Sequence, residues 1–370
     1  MNATAIIDRD MQCLLGLPFD AITLEQSVIH LLKAIDDKER CFLSTPNLNF
    51  AISTQSDNAF FDSVVDSDLS VADGMPLIWV AKLLGIPITE RVAGSTLFDE
   101  LSKQKVSDKK IKVFFFGGQE GVAELAHQNL NETSAAMESC GFYDPGFVSV
   151  DEMSSANIIE TINSCEPDFI VVALGARKGQ EWIQQNKETL DASVISHLGA
   201  VINFVAGNVE RAPVVWQRLG MEWLWRIRQE PSLWKRYLFD GLAFIRLMLI
   251  NVLPLAVYDR FLRRTASFHI PSDIKLENQE TLTLRLTGSI HHGVMDDIKQ
   301  QFSKVIEDFD EDVVIDCEHL AYLDSAFIAS TLLFQRYLNE QGRLLVLSNV
   351  PARIVRLLSL SSVSERFTLS

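Results

Sequence analysis

Cysteine and histidine are scarce in this 370-residue sequence, and neither shows a spacing that catalytic or metal chemistry requires. The five cysteines are widely separated with no CxxC pair, which argues against a disulfide framework and against a zinc knuckle. No HExxH motif and no GxSxG nucleophile elbow occurs. We therefore expect reduced thiols, no metal ion, no cofactor and no acyl-enzyme chemistry. The cysteines are Cys13, Cys41, Cys140, Cys165 and Cys317.

Positive charge is also in deficit. The 33 Lys and Arg residues against 49 Asp and Glu residues give a net charge of −16, so the surface as a whole repels nucleic acid. The N-terminal sequence MNATAIIDRDMQ lacks a basic region followed by a long apolar run, so we predict no secretory signal and a cytoplasmic location. A chain of this length with 47% hydrophobic residues is sufficient for two domains.

Short apolar runs alternate with helical patterns up to about residue 205. Each run ends in a turn that contains Gly or Asn, which is typical of buried parallel strands. Strands separated by helices predict an α/β fold with a parallel sheet, whose ligand crevice lies at the carboxyl ends of the strands. The predicted strands lie at 40–47, 112–121, 167–176 and 193–200, and the predicted helices at 119–131 and 180–189.

The composition changes over residues 206–262, which we predict to be a basic helical appendage. Between residues 205 and 264 there are ten basic and five acidic residues, and four of the six tryptophans lie there. This composition favours an anionic partner at a membrane surface. Within it, the apolar segment 242–258 is interrupted by Arg246, Asn251 and Pro254, and three interpretations stay open: a membrane-spanning helix, an interfacial amphipathic helix or an ordinary buried helix.

A second α/β unit is predicted after a linker at 263–272. Residues 273–370 contain an inventory of strands and helices sufficient for an independent domain. The predicted strands lie at 281–288, 312–317 and 343–348, and the predicted helices at 295–309 and 324–342.

Asp73 stands between an apolar run and a helical pattern. Such a carboxylate is either the N-cap of the helix or a catalytic base, and the second interpretation needs partners. Polar residues at other predicted strand ends and helix starts could hold a sugar nucleotide while Asp73 deprotonates an acceptor hydroxyl. A glycine turn in FFFGGQEG indicates either phosphate contact through backbone N–H groups or close packing of strand and helix. The candidates are Thr45, Asn47, Arg91, Gly117, Gly118, Gln180 and Glu181.

Residues 10–240 resemble the WecG/TagA/CpsF glycosyltransferase family. The resemblance is carried, in order, by TPNLNFA, VADGMPLIWVAKLLGIPITERVAGSTLFDEL, VFFFGGQEGVAE, PDFIVVALGARKGQEWI and the block from NFVAGNVERAP to WKRYL. It implies a Rossmann-like glycosyltransferase core over residues 1–205 and inverting, metal-independent transfer of a hexose-type sugar. The sugar would be N-acetylmannosamine or its uronic acid, moved from a UDP donor to an undecaprenyl-diphosphate-linked acceptor in cell-surface polysaccharide biosynthesis.

The same resemblance assigns roles to single residues. It implies that Asp73 is the base, that Thr45 and Asn47 lie near the acceptor, and that Arg91 and Gln180 contact the donor diphosphate. It further implies that tail arginines bind the lipid diphosphate, here Arg211, Arg226 and Arg236. The protein would then be cytoplasmic and associated peripherally with the inner face of the cell membrane.

The C-terminal unit resembles a STAS domain through VVIDCEHLAYLDSAFIASTLL. Ser325 matches a serine that is phosphorylated in some members of that family, where added charge changes docking. The alternative is that Asp324 or Ser325 simply caps the helix. The resemblance implies a regulatory or docking module with a protein partner.

Two other functions stay open. A decayed transferase core could sense a UDP-sugar or a lipid intermediate, which Asn203 and the sequence ARKGQE favour because both depart from the family pattern. A nucleotide-dependent oxidoreductase built on the glycine turn is the third hypothesis, although the full GxGxxG motif is missing.

Overall fold

The computed structural model describes residues 7–104, 109–210, 212–213, 215–216, 220–278 and 281–370. Its internal contacts divide the chain into two compact units. We call Ile22–Ile78 with Glu90–Asp240 the core unit, and the residues up to Ala21 with Trp79–Thr89 and Gly241–Ser370 the composite unit. The predicted domain boundaries at residues 205, 262 and 272 stay predictions.

The first described elements form a hairpin that belongs to the composite unit. Strands β1 (Met11–Leu14) and β2 (Leu17–Asp20) pair antiparallel, and all ten residues from 11 to 20 are buried. Leu15 and Gly16 form the turn with positive φ angles, as a two-residue hairpin turn requires. At Gly16 an added Cβ would lie 2.9 Å from the Ser362 carbonyl oxygen, so only glycine fits there.

A six-stranded parallel sheet forms the core unit and confirms the predicted α/β fold. Its strand order is β4-β3-β8-β7-β5-β6, and every neighbouring pair is parallel. All four predicted strands are present, whereas β6, with the polar sequence MESCGFY, was not predicted. The strands are β3 (Cys41–Ser44), β4 (Leu69–Ser70), β5 (Ile111–Gly117), β6 (Met137–Tyr143), β7 (Phe169–Ala173) and β8 (Val194–His197).

Helices cover both faces of this sheet. Along β5, Val113 and Phe115 belong to one hydrophobic cluster, while Phe114 and Phe116 belong to another. Alternate side chains of a strand point to opposite faces, so both faces are buried. The helices are α1 (Leu24–Asp37), α2 (Leu48–Ser53), α3 (Asn58–Val65), α4 (Met75–Leu84), α5 (Gly94–Leu101), α6 (Val122–Thr133), α7 (Val150–Met153), α8 (Ala156–Ser164), α9 (Ala176–Asn186), α10 (Gly199–Val205) and α11 (Glu222–Gln229).

A long helical segment follows. Helix α12 (Trp234–Leu247), a π-helical turn (Met248–Val252) and helix α13 (Leu253–Leu262) run on without a break. Together with a short 3₁₀ turn at Pro231–Leu233, this segment is long and apolar enough to cross a membrane by length and composition. The segment predicted as a linker contains a 3₁₀ turn at Ala266–His269, and Phe268 packs edge-on against Tyr322 with ring centroids 5.0 Å apart.

The C-terminal sheet confirms the predicted second α/β unit. Its strand order is β13-β12-β11-β10-β9, with β9 antiparallel to β10 and the other pairs parallel. The strands are β9 (Asp273–Asn278), β10 (Leu282–Ile290), β11 (Val313–Leu323), β12 (Leu345–Ser348) and β13 (Thr368–Leu369), and the helices are α14 (Met295–Asp308), α15 (Ser325–Glu340) and α16 (Ala352–Leu360). The β1–β2 hairpin packs mainly on α15.

Candidate active site

Backbone hydrogen bonds join three loops at the carboxyl ends of β3 and β4. The Asp73 N–H donates to the Pro46 carbonyl over 2.9 Å, and the Val92 N–H donates to the Ala72 carbonyl over 2.9 Å. The loop after β3, the loop after β4 and the ERVAG loop before α5 therefore lie side by side. This arrangement brings Thr45, Asp73 and Arg91 to one edge of the sheet, as parallel strand ends predict.

The Asp73 carboxylate is the electrostatic centre of this edge. Burial raises the pKa of Asp73 to about 6. The charges of Arg91 and Arg226 and a hydrogen bond from the Gly94 N–H lower this pKa, and the charge of Glu222 raises it. The carboxylate thus binds the first N–H of α5, where the helix dipole favours an anion, and it lies within the field of two guanidinium groups.

Helix α11 supplies the groups that face Asp73. Glu222 and Arg226 are four residues apart and therefore lie on one side of the helix. Arg91 Nη1 donates to Glu222 Oε2 over 2.8 Å in a largely buried ion pair. Burial alone would lower the pKa of Arg226, but Tyr237, Asp73 and Glu222 together raise it. Arg226, which the sequence suggested only through the family resemblance, is thus beside the candidate base.

Thr45 and Asn47 lie on the loop after β3. The Asn47 side chain is the N-cap of α2, where Oδ1 accepts from the N–H groups of Asn49 and Phe50 over 3.0 and 3.3 Å. Thr45 is buried, and its Oγ1 would lie 3.4 Å from a Cβ added at Gly94. Gly94 therefore adjoins both Thr45 and the Asp73 carboxylate. A side chain at Gly94 would force Leu198 to move, because an added Cβ would lie 2.4 Å from Leu198 Cδ2.

Gln180 and Glu181 are placed differently although they are adjacent in sequence. Gln180 is 1% exposed, and its Nε2 donates to Ser44 Oγ over 2.9 Å at the end of β3. Its Oε1 has no hydrogen-bond partner among the described residues. The Glu181 side chain is exposed. Across the described ranges, no hydrogen bond links either residue to Asp73, Arg91 or Arg226.

The glycine turn after β5 shows tight packing. Gly117 and Gly118 have φ angles of +87° and +104°. A Cβ at Gly117 would lie 2.7 Å from Leu174 Cδ2, and the Gly118 N–H donates to the Ala173 carbonyl over 2.9 Å. These contacts favour the close-packing interpretation of the turn. Phosphate binding by Gly117 and Gly118 stays a prediction.

His197, at the end of β8, was not predicted from the sequence as a site residue. Its Nδ1 donates to the Val172 carbonyl over 3.1 Å, which leaves Nε2 as an acceptor. Burial lowers the pKa of His197 to about 4, so the ring is neutral. The ring lies beside Gly179, where an added Cβ would be 2.6 Å from Nδ1. The available signal was a histidine at the carboxyl end of a predicted strand, in SVISHLGA. Glu222 was also missed, and its signal was the four-residue spacing to Arg226.

Of the two remaining tail arginines, the structure describes only Arg236. Arg236 is exposed, and its guanidinium carbon lies 5.2 Å from the ring centroid of Tyr237. Asp240, at the other end of the same turn, accepts from Asn49 Nδ2 at 3.1 and 3.2 Å and fixes α12 to α2. Arg211 lies outside the described residues.

Ser325 lies in the composite unit. Asp324 is the N-cap of α15, where Oδ1 accepts from the N–H groups of Ala326 and Phe327, so the capping interpretation holds for Asp324. The Ser325 hydroxyl donates to Gln12 Oε1 over 2.7 Å on strand β1. Phosphorylation of Ser325 stays a prediction.

Comparison with known proteins gives two family matches. The model of the glycosyl transferase WecG/TagA/CpsF family matches residues 12–256, and the model described as Mlab, STAS domain matches residues 276–369. Three similar bacterial proteins share the name N-acetylglucosaminyldiphosphoundecaprenol N-acetyl-beta-D-mannosaminyltransferase. The Bacillus spizizenii protein is 29% identical over 205 residues, which are 55% of this chain and 77% of that protein.

The Bacillus subtilis protein is 28% identical over 224 residues, which are 60% of this chain and 85% of that protein. The Staphylococcus aureus protein is 26% identical over 225 residues, with the same two coverages of 60% and 85%. Because the first family model covers more than half of the chain, the protein belongs to the glycosyl transferase WecG/TagA/CpsF family and is a glycosyltransferase with a separate C-terminal STAS domain.

Proposed function

We propose that the protein transfers an N-acetylmannosamine-type sugar, or its uronic acid, from a UDP donor to an undecaprenyl-diphosphate-linked sugar, with inversion and without a metal ion. The names of its relatives support a lipid-linked acceptor that carries N-acetylglucosamine. The observation that carries the proposal is the half-buried Asp73 carboxylate, which lies in the field of Arg91 and Arg226. One base with two cations suits glycosyl transfer from a diphosphate donor, in which a hydroxyl proton is accepted and negative charge develops on the leaving group.

Asp73 acts as the general base. It accepts the proton of the acceptor hydroxyl while that oxygen attacks the anomeric carbon from the side opposite UDP. The bond between the anomeric carbon and the β-phosphate oxygen breaks, its electron pair leaves with UDP, and the configuration inverts. A base with a pKa of about 6 is ionised at neutral pH and still basic enough to take a proton in the transition state.

Arg91 and Arg226 stabilise the negative charge that develops on the leaving diphosphate. Fixed guanidinium groups can serve in this role because they bind phosphate oxygens in a planar, two-pronged geometry. Arg91 is paired with Glu222 over 2.8 Å, so a diphosphate would have to compete with that carboxylate for Arg91. The family resemblance implied that Arg226 binds the lipid diphosphate, but its place in the field of Asp73 favours the leaving diphosphate. The lipid diphosphate would then be bound by Arg236 and Arg211.

The acceptor places the enzyme at the membrane. A polyprenyl-diphosphate substrate stays in the bilayer, so we propose that the protein is cytoplasmic and binds peripherally to the inner face of the cell membrane. The STAS domain would regulate or dock the enzyme.

UDP release tests the proposal. Purified full-length protein is given a panel of UDP-sugars and a short-chain polyprenyl-diphosphate-GlcNAc acceptor in detergent, with and without EDTA. We expect acceptor-dependent release that survives EDTA and that falls at least 100-fold in Asp73→Asn. Asp191→Asn, an exposed carboxylate in the same unit, is the matched control and should retain wild-type release.

Three results would contradict the proposal. Full activity of Asp73→Asn would exclude the base assignment, and loss of activity in EDTA would exclude the metal-independent mechanism. Binding of UDP without turnover for any donor and acceptor pair would favour the sensor hypothesis.

A further inference from the structure

The helical segment from α12 to α13 has an exposed apolar stripe within the composite unit. The side chains that form it are 41% to 69% exposed, far more than large apolar residues usually are in a soluble protein. They follow one another at steps of three or four residues, so they lie along one side of the helix. The stripe consists of Leu242, Ile245, Leu249, Leu253, Val257 and Phe261.

The π-helical turn keeps this stripe on one side. Along the stripe, four of the five steps between successive side chains are four residues long, which is more than the 3.6 residues per turn of a straight α-helix. The π turn at Met248–Val252 holds more residues per turn and absorbs the difference. Pro254 stands in the first turn of α13, which begins at Leu253, and its missing N–H is tolerated there. Thus Pro254, which interrupts the apolar sequence, does not interrupt the apolar surface.

The opposite side of the helix is held by the STAS domain. Val252 and Ala256 are almost fully buried. Asn251 Nδ2 donates to Ser362 Oγ over 3.2 Å, and the Tyr322 hydroxyl donates to Asp259 Oδ1 over 2.5 Å. Asp259 is paired on its other oxygen with Arg263 Nε at 2.7 Å. Asn251 and Asp259 therefore contact the domain, whereas the six side chains of the stripe stay exposed.

The STAS domain also contributes charge to the exposed side. An open groove of about 480 Å³ runs beside Leu249, Leu253, Val257 and Phe261, and Arg356 of α16 borders it. The Arg356 guanidinium carbon lies 4.6 Å from the ring centroid of Tyr258, which is also in the groove wall. Further exposed arginines are Arg246 and Arg260 on the segment, Arg264 just after it and Arg353 on α16.

We infer that the STAS domain and residues 241–262 form one docking surface for an anionic phospholipid bilayer. Apolar side chains of the stripe enter the acyl region, and Arg356 binds a lipid phosphate at the edge of the groove. An apolar stripe with an arginine rim is complementary to an anionic membrane interface, where each basic residue adds to binding. A helix that spanned the bilayer would instead carry Asn251 and Asp259 into hydrocarbon and break their hydrogen bonds to the domain. The inference rests on the membrane location in the proposed function and gives the STAS domain a direct part in it.

Vesicle binding by the full-length protein tests the inference. We expect at least tenfold tighter binding to vesicles of phosphatidylcholine with phosphatidylglycerol than to phosphatidylcholine alone. Val257→Glu should weaken binding at least tenfold, because a carboxylate would have to enter the acyl region. Arg356→Gln should weaken binding to the anionic vesicles about fivefold. The matched controls, Leu344→Glu and Lys304→Gln, alter exposed residues elsewhere on the domain and should bind as the wild type does.

Four outcomes would overturn the inference. The first is equal binding to both kinds of vesicle, and the second is full binding by Val257→Glu. The third is resistance of the protein in cell membranes to extraction by alkaline carbonate. The fourth is a concentration-dependent dimer that Val257→Glu dissociates while no vesicle binding occurs, because a second copy would then cover the stripe. UDP release from the soluble short-chain acceptor, without vesicles, is the independent readout. Its failure in the wild type would contradict the proposed function and leave the vesicle result to decide the docking surface.

Discussion

Asp73 and Asp324 occupy the same kind of place in two different sheets. Each follows a buried strand and precedes a helix, and burial raises the pKa of both. Asp324 is bonded to three backbone N–H groups, those of His292, Ala326 and Phe327. Asp73 is bonded to one, that of Gly94, and lies in the field of Arg91 and Arg226. A carboxylate at a strand–helix junction is therefore a cap or a candidate base according to what distant segments bring to it.

The largest expected contrast is in turnover. Asp73→Asn should lower UDP release by roughly 10³-fold, because the amide cannot accept the hydroxyl proton. Asp324→Asn should leave release within about twofold, because its partners are backbone groups of the other unit. Steady-state UDP release of both variants, with circular dichroism to confirm folding, makes the comparison. Equal losses in the two variants would show that Asp73 has no special role in turnover.

Removal of the cation near each aspartate should also have different effects. Arg226→Ala should lower kcat/KM roughly 100-fold through lost charge stabilisation. Because Arg226 lowers the pKa of Asp73, its removal should also move the acid limb of the pH–rate profile to higher pH. The corresponding cation near Asp324 is Arg263, and Arg263→Ala should leave the profile in place. A loss of rate without a shift of the limb would mean that Arg226 acts on substrate alone.

Removal of the Glu222 charge should shift the acid limb of the pH–rate profile in the direction opposite to the shift in Arg226→Ala. Activity requires ionised Asp73, so kcat/KM should fall about tenfold per pH unit below a pKa of about 6. Glu222 raises that pKa by like charge, so Glu222→Gln should shift the limb to lower pH. A pH–rate profile between pH 4.5 and 8 measures this, with Asp191→Asn as the control. An unchanged limb would place Glu222 outside the electrostatics of the base.

The smallest effects are on stability and differ in sign. The pKa of Asp73 in the folded state is about 6, above its unfolded value of 3.8. Between about pH 4 and pH 6, Asp73 is therefore still protonated in the folded state but already ionised in the unfolded state. Stability attributable to Asp73 therefore falls as pH rises through this window, and at neutral pH Asp73→Asn should be stabilised by on the order of 1 kcal/mol. Asp324→Ala should be destabilised by about 1 kcal/mol through loss of the cap. Thermal melts at pH 7.5 and pH 4 compare the two, and a less stable Asp73→Asn would contradict the sign.

The sequence predicted what depends on local pattern. Alternation of apolar runs and helical stretches sufficed for the parallel sheet, and the ends of its strands indicated the edge at which Thr45 and Asp73 lie. Strand β6 was missed because MESCGFY has few of the apolar residues that mark a buried strand. The β1–β2 hairpin was missed because each strand is four residues long and is buried by segments far away in sequence.

The candidate site shows the same limit. Glu222 faces Arg91 across 131 residues of sequence, and Gln180 meets Ser44 across 136, and no local pattern predicts such pairs. Arg226 was identified through the family resemblance and not through its spacing. His197 was not identified because a single histidine at a strand end is uninformative until its glycine neighbours and its carbonyl partner are known.

The hairpin at the start of the chain has a consequence for synthesis. Gln12 and Ser325, which hydrogen-bond, are 313 residues apart. A ribosome adds about 5–20 residues per second, so β1 waits roughly 15 to 60 seconds after it is made before α15 can be formed to cover it. During that time the apolar hairpin is a nascent segment without its final partner. The hairpin is thus among the last elements to reach its native contacts, although it is made long before α15.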